Sequence, residues 1–378
     1  MLNIFNDIIH VVRTFFEGRG WPLLVTVALI LSVLFWTCCL IGIAIFYYRD
    51  YRYRICYSRI YPILRDFIYE QVLVKNNVSH FPIDKLGLNL EKRLEVKVVR
   101  DILHEFIRTI GGEKGRSMRN LFNELGYDKE AQYEIRHAAK HMAPIVRSLN
   151  DLALMKVVVQ ENVLDKLLAS PKIEIRVAAF QYLLQVQGEQ AFDRVFSQLE
   201  GINELHAVDI YQTIVLTDYF GTYSFSQWLD ESKTFAANKL LMDLMVYYQE
   251  LEASQLWKLI VANKDMNTII KAVNSLGKLL ARESEDQLRD LYDQHQSLHL
   301  RIEILKAIGR LGQGKSLDFL ANIFENSELP VKLRKHAYRS LITQRPYSTM
   351  YLRRINDNTD AMTDRLIRYI TNPMVHYI

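Results

Sequence analysis

One uncharged run constrains this chain more than any other stretch. From Trp21 to Tyr48 it reads WPLLVTVALILSVLFWTCCLIGIAIFYY, with no ionisable group apart from the terminal tyrosines and the cysteine thiols. A helix rises about 1.5 Å per residue, so roughly 20 such residues cross the ~30 Å hydrocarbon core of a bilayer, and the rest can tilt or enter the interfaces. The run therefore predicts a transmembrane helix over 21–48. Trp21 at one end, with Tyr47, Tyr48, Tyr51 and Tyr53 at the other, occupies the positions of the aromatic belts found at headgroup level. A cleaved signal peptide wants a basic start, a shorter apolar core and a small-residue cleavage site. None of these is present, so the span is expected to be retained.

Flanking charge sets the expected orientation. Arg13 and Arg19 precede the span and are offset by Asp7 and Glu17, whereas Arg49, Arg52, Arg54, Arg59 and Arg65 follow it. The excess of basic residues on the C-terminal side places that side in the cytosol and the N-terminus outside. Trp21, Arg49, Arg52, Arg54 and Arg59 are the expected membrane-interface residues, the arginines being suited to anionic lipid headgroups. Ahead of the span, Ile4, Phe5, Ile8, Val12 and Phe15 share one helical face, predicting an amphipathic helix over 1–20 that lies on the outer leaflet or packs on a partner's membrane domain. Asn77-Val78-Ser79 matches the glycosylation acceptor pattern, but on the cytosolic side it reads as an ordinary loop.

The chain of 378 residues is 49% hydrophobic, enough for one large or two ordinary domains. Cys38, Cys39 and Cys56 all fall near its start, so no disulfide framework holds the remainder, and a reducing compartment fits. They also suit lipidation, or a role as plain membrane-helix residues. The net charge of +4 is modest and many of the cations cluster near residue 50, so nucleic-acid binding is not expected.

Beyond the span, residues 49–85 read as a basic and aromatic juxtamembrane collar followed by a loop, with Pro62 expected to break or bend any helix leaving the membrane. From about residue 86 the apolar spacing is helical almost throughout. Leu94, Val98, Ile102 and Phe106 form one stripe before Gly111-Gly112, and a shorter helix is expected to end at Gly126. No alternating runs with hairpin turns and no strand–helix alternation occur. The expected fold class is all-α.

Self-similarity then organises the chain. Arg301, Ile304, Ala307 and Ile308 fall on Arg334, Ala337, Ser340 and Leu341 at an offset of 33 residues, and Ala272, Ser275, Leu276 and Gly277 fall on Ile304, Ala307, Ile308 and Gly309 at an offset of 32. Upstream, Arg176, Ala179 and Leu183, and before them Arg136 and Ala139, fill the same slots. Weaker copies start near Ala207 and Thr234. Small residues at fixed slots let neighbouring helix pairs approach, and stacking buries apolar faces that no pair can bury alone.

These residues resemble HEAT repeats, whose second helix reads Pro-x-x-x-Val-Arg-x-x-Ala-x-x-Ala-Leu-Gly after a turn. The nearest matches are Pro171-Lys172-Ile173-Glu174-Ile175-Arg176-Val177-Ala178-Ala179 and Pro330-Val331-Lys332-Leu333-Arg334-Lys335-His336-Ala337. The spacing of 32 to 33 also admits a tetratricopeptide-like reading, but that family's Trp-Leu-Gly-Tyr and Ala-Phe-Pro pattern is missing. The resemblance implies an α-solenoid of about five to seven helical pairs: a helical cap over 86–130, repeats over 131–345, and a terminal helix with its tail over 346–378. That last helix is expected to start at Asn358 or Thr359 and stop at Asn372-Pro373, leaving MVHYI to dock on the solenoid or on another protein. Membrane-tethered HEAT-repeat proteins of bacteria, some of them accessory partners of a membrane glycosyltransferase or polysaccharide-export machine, are similar in layout. The resemblance thereby implies a bacterial inner-membrane location.

Against this frame stands GRLGQGKS, residues 309–316, which satisfies G-x-x-x-x-G-K-[ST], the loop that cradles nucleotide phosphates. That loop needs a strand before it and an acidic strand for Mg²⁺ elsewhere. Here Leu298, Ile302, Leu305 and Ile308 give the preceding segment helical spacing. Gly309 and Gly314 are therefore expected to serve a helix end and a tight turn through positive φ, and Lys315 and Ser316 to open the next helix with Ser316 as its N-cap. The match is read as coincidental.

No catalytic residue, metal site or cofactor is expected. His137/His141 and His295/His299 have zinc-compatible spacing, but neither pair belongs to H-E-x-x-H, and no nucleophile elbow appears. Arg136, Arg176, Arg301 and Arg334 are candidate partner-binding residues, either as a structural ladder to neighbouring acidic side chains or as a basic stripe reading acidic or phosphorylated segments. The expected function is a non-catalytic membrane scaffold whose solenoid docks a protein partner, itself a membrane protein. The alternatives are a nucleotide-dependent membrane enzyme and a signalling adaptor.

Overall fold

A computed structural model describes residues 20–87, 92–137, 142–217, 223–357, 360–372 and 374. The amphipathic helix expected over 1–20 lies outside these residues but for Gly20, as do Ala139, His141, Asn358, Thr359, Pro373 and most of the MVHYI tail. The described chain is all-α, with no strand among the described residues. It divides into two compact units, Met1–Lys129 and Glu130–Ile378.

In the first unit α1 runs unbroken from Gly20 to Ile68, with Pro62 inside it. Of the break or bend expected at Pro62, the break does not occur. Proline removes one backbone N–H and crowds the preceding turn, but packing supplies what that turn loses. The juxtamembrane half of α1 packs along α2 (Arg93–Thr109), and Ile60, Leu64, Ile68, Val98, Val99, Ile102 and Leu103 are all buried there. The helix ends only where its winding loosens into a π-turn over Tyr69–Val74. The loop after it is pinned by α3 (Gly112–Glu124). Glu124 accepts the N–H groups of His80 and Phe81 at 2.6 and 2.8 Å, and the Asn120 amide donates to the Val78 carbonyl at 2.7 Å.

By contrast, none of the described side chains in the first half of α1, Val25 and 27–44, is buried. It is long and apolar enough to cross a membrane, and the apolar window is wholly unburied. Val27, Leu29, Ile30, Leu31, Val33 and Leu34 are exposed. A helix apolar on every side with no protein covering it matches lipid as its surroundings.

The second unit takes in most of α4 (Tyr127–His137), then α5 (Met142–Leu154), α6 (Glu161–Leu168), α7 (Ile173–Gln187), α8 (Phe192–Phe196), α9 (Glu204–Leu216), α10 (Phe235–Tyr247), α11 (Ala253–Ala262), α12 (Met266–Lys278), α13 (Glu285–Gln294), α14 (Leu298–Leu311), α15 (Leu317–Glu325), α16 (Val331–Thr343), α17 (Thr349–Asp357) and α18 (Ala361–Thr371). Contacts run between near neighbours. α5, α7, α9, α10, α12, α14, α16 and α18 pack in succession, while α6, α11, α13 and α15 each cover the helix that follows. One apolar cluster threads the unit from Ala131 to Ile370. The slots read from the sequence supply it: Ala179, Leu183, Ala272, Leu276, Ile304, Ala307, Ile308, Ala337 and Leu341 are all fully buried.

Two glycines set the helix spacing. A Cβ on Gly277 would lie 2.8 Å from the Ala307 Cα, and one on Gly309 would lie 2.6 Å from the Ser340 Oγ and 2.8 Å from its Cβ. The same slot thus brings α12 against α14 and α14 against α16. The last helix is capped by Asp360, whose carboxylate accepts the Thr363 N–H at 2.9 Å.

Candidate docking surface

The phosphate-loop match resolves into helix packing. GRLGQGKS starts inside α14, so a helix leads into it and not a strand. Gly309 is not at a positive φ, contrary to the expectation for it; its lack of a side chain serves the contact with Ser340. Gly312 takes the left-handed conformation that ends α14, and Gly314 the positive φ of the turn. The Gly314 N–H, which a phosphate would need, donates to the Gln344 side-chain carbonyl at 3.1 Å. Ser316 stands at the N-cap position of α15 but makes no cap. It is fully buried, and its hydroxyl donates to the Glu285 carboxylate at 2.6 Å. Lys315 is exposed.

Three of the recurring arginines, Arg176, Arg301 and Arg334, donate to backbone carbonyls. Arg334, 6% exposed, donates from Nε to the Phe324 carbonyl at 2.8 Å and from a terminal nitrogen to the Thr363 hydroxyl at 3.2 Å, with its guanidinium 5.6 Å from the Phe324 ring centre. Arg301 repeats the arrangement one unit earlier. Its Nε donates to the Tyr292 and His295 carbonyls at 3.2 and 2.6 Å, and its guanidinium lies 4.7 Å from the Tyr292 ring centre. Each arginine ties the start of one helix to the orphan carbonyls ending the helix before it. Arg176 donates to the Glu200 carbonyl at 2.8 Å. Arg136 is exposed.

The cations that do gather on an open face lie a turn further along the same helices. Lys306, Gly309, Arg310, His336, Arg339, Ser340 and Thr343 line a pocket of about 270 Å³ between α14 and α16. Its floor is the close Gly309–Ser340 contact. Burial pushes the His336 imidazole down to about 4, and Lys306, Lys335 and Arg339 push the same way, with Glu303 opposing. The Lys335 ammonium is lowered by burial and then by Arg339, Lys332 and Lys306. On α12, burial and then Lys271 lower the Lys278 ammonium, with Arg310 adding to the effect. Two carboxylates are set among these groups. Glu303 accepts from Asn274, Lys306 and Arg310 at 2.6, 3.2 and 3.4 Å, and Asp243 pairs with Lys271. Sequence reading missed this strip because only Lys278/Arg310 and Lys306/Arg339 keep the repeat offset, and neither pair belongs to the resemblance motif.

The juxtamembrane collar is partly spent on the fold. Arg59 donates to the buried Glu95 at 2.7 Å, Tyr53 to Asp101 at 2.8 Å and Tyr57 to Glu105 at 2.9 Å, which zips α1 to the acidic side of α2. Arg54 pairs with Asp50 at 2.8 Å, and Arg52 lies 6.0 Å from the Tyr48 ring centre. Arg49, Arg52 and Lys97 are among the residues lining an open pocket of about 640 Å³ where the apolar part of α1 ends. Trp21 has its backbone in the first turn of α1.

Among the described residues, no three His, Cys, Asp or Glu side chains stand close enough to hold a metal ion. His295 lies in the turn after α13 and His299 inside α14. No protein-family model matches the chain, and no match to a curated protein is found. The likeness to HEAT repeats therefore rests on the sequence motif, with which an all-helical chain is compatible.

Proposed function

We propose that this chain is a non-catalytic scaffold anchored in a membrane by α1, with its N-terminus outside and its second unit a HEAT-like α-solenoid that docks a protein partner in the cytosol. The observation that carries the reading is the contrast between the two ends of the chain. The apolar window of α1 has no protein cover, while in the second unit helices pack on their near neighbours, with open pockets beside Lys306 and beside Trp257. Repeat stacks of this kind bind proteins across many residues in preference to enclosing a small substrate. The excess of arginine after the span supports the orientation. A membrane glycosyltransferase or polysaccharide-export component as the partner is supported by the resemblance alone.

Photo-crosslinking tests the docking role. A series of crosslinking residues placed across the exposed face of α12, α14 and α16 in native membranes is expected to capture one defined protein. Capture of none from any position would contradict it.

A further inference from the structure

We propose that the open pocket between α1 and α2, at the C-terminal end of the apolar run, seats the headgroup of an anionic phospholipid, its phosphodiester held by Arg49 and Arg52 of α1 and Lys97 of α2. The inference rests on the membrane anchoring proposed above and names the lipid that the anchor selects. The arginines expected at the membrane interface are not equivalent in the structure. Arg54 is committed to Asp50 at 2.8 Å, and Arg59 to the buried Glu95 at 2.7 Å. Arg49, Arg52 and Lys97 pair with no carboxylate among the described residues. Arg52 lies 6.0 Å from the Tyr48 ring centre and the Lys97 ammonium 5.2 Å from that of Tyr53. Two carboxylates also line the pocket, Asp50 and Asp101. Asp50 is the partner of Arg54, and Asp101 accepts the Tyr53 hydroxyl at 2.8 Å. Asp50 is thus already balanced, and the single charge of Asp101 faces three cations of the pocket wall.

Position favours a lipid over a soluble anion. Phe46 and Tyr48 close the uncharged run, and Arg49 is the first cation after it. At about 1.5 Å per residue, the stretch from Val27 to Phe46 spans about 30 Å, the thickness of the hydrocarbon core. The pocket therefore opens where acyl chains give way to headgroups. Phe46 and the half-buried Leu94 give it an apolar wall beside its cations, which suits the glycerol and first acyl carbons of a lipid and is of no use to a free phosphate. Arg49 and Arg52 stand three residues apart and so share a face of α1. The Tyr53–Asp101 and Tyr57–Glu105 hydrogen bonds fasten α2 alongside and bring Lys97 to the same pocket. Guanidinium forks match the paired oxygens of a phosphodiester, and the lysine adds a mobile point charge. A headgroup ending in choline would set its own cation among these three.

The test titrates the full chain in neutral detergent with phosphatidylglycerol, or with phosphatidylcholine of the same acyl chains, and reads bound lipid by native mass spectrometry. Phosphatidylglycerol is expected to bind in preference. Lys97→Gln should lower its affinity about fivefold at an unchanged melting temperature, and Lys97→Arg, which keeps the cation, should retain it. Arg49→Gln with Arg52→Gln leaves α2 untouched and should lower the affinity further, which guards against a packing defect in the Lys97 variant. Arg65→Gln removes an equal charge from α1 where Asp66 already holds it at 2.8 Å, and should change nothing. Equal losses in Lys97→Gln and Arg65→Gln would reduce the effect to diffuse attraction and overturn the assignment. Equal binding of phosphatidylcholine, or displacement of the lipid by inorganic phosphate at no more than the lipid's own concentration, would overturn it too. Loss of the lipid preference in a chain still retained in carbonate-washed membranes would remove the headgroup seat and leave the anchor standing. Release of the chain by carbonate would remove the anchor, and the seat with it.

Discussion

Arg334 donates its Nε hydrogen to the carbonyl of Phe324 at 2.8 Å while its guanidinium lies against that residue's ring. Arg301 holds Tyr292 in the same way one unit earlier. A buried cation bonded to the carbonyls that end a helix serves the stack, and its removal should be felt as lost stability. Arg334→Ala is expected to lower unfolding stability by about 2–3 kcal/mol, and Arg334→Lys to recover little of it, because a lysine lacks the planar fork that reaches carbonyl and ring together. Thermal unfolding of the purified protein measures both. A neutral effect of Arg334→Ala would return this arginine to the candidates for partner binding.

The Gly309 contact makes a second prediction. A methyl group at this position would lie 2.6 Å from the Ser340 hydroxyl oxygen, so Gly309→Ala should cost about 1–3 kcal/mol by overpacking. Adding Ser340→Gly opens the facing slot and should restore part of that loss, a coupling that a double-mutant cycle reads directly. Additive effects would mean that the two helices are not held together at this point.

Lys315 and Ser316 should respond differently to alanine. Lys315 is exposed, so Lys315→Ala is expected to leave the melting temperature within error. Ser316→Ala strips the donor from the Glu285 carboxylate, which is 1% exposed and whose second oxygen has no partner among the described residues. The expected cost is about 1–3 kcal/mol. A phosphate loop would show the opposite emphasis, with nucleotide binding lost in Lys315→Ala.

Acid should weaken the fold through its half-buried histidines. His336 and His104 are both held down to about 4 against an ordinary 6.5, burial being the first cause in each. Between those values the unfolded chain binds more protons than the folded one, so stability rises with pH across this window. Their contribution is complete above about 6.5 and is lost as pH falls towards 4. His104→Asn with His336→Asn should flatten this part of a plot of melting temperature against pH. An unchanged slope would assign the acid sensitivity to other groups.

Period and small-residue slots made the helical class, the repeat offset and the buried face of the second unit legible, because a stacked helix must put the same residue type at the same contact. A break at Pro62 is absent for a local reason. The rule that proline ends a helix holds when nothing else secures the turn, and here Arg59, Ile60 and Leu64 are fastened or packed on both sides of it. The role of the recurring arginines was also hidden. Their spacing is visible in sequence, but a carbonyl partner is invisible there, since every residue carries one. The cationic strip arises from residues on three helices separated by more than thirty positions in pairs such as Lys306 and Arg339, and only packing brings them onto one face.

The most direct measurement is the accessibility of two engineered cysteines in a chain whose native Cys38, Cys39 and Cys56 are replaced by alanine. With Asn3→Cys and Lys315→Cys made separately, a membrane-impermeant maleimide is applied to intact and to permeabilised cells, and each chain is checked for retention in carbonate-washed membranes. The expected result is labelling at position 3 in intact cells and at position 315 only after permeabilisation, with both chains retained. Labelling of position 315 in intact cells, or release of the chain by carbonate, would contradict a scaffold that hangs into the cytosol from a single lipid-crossing helix.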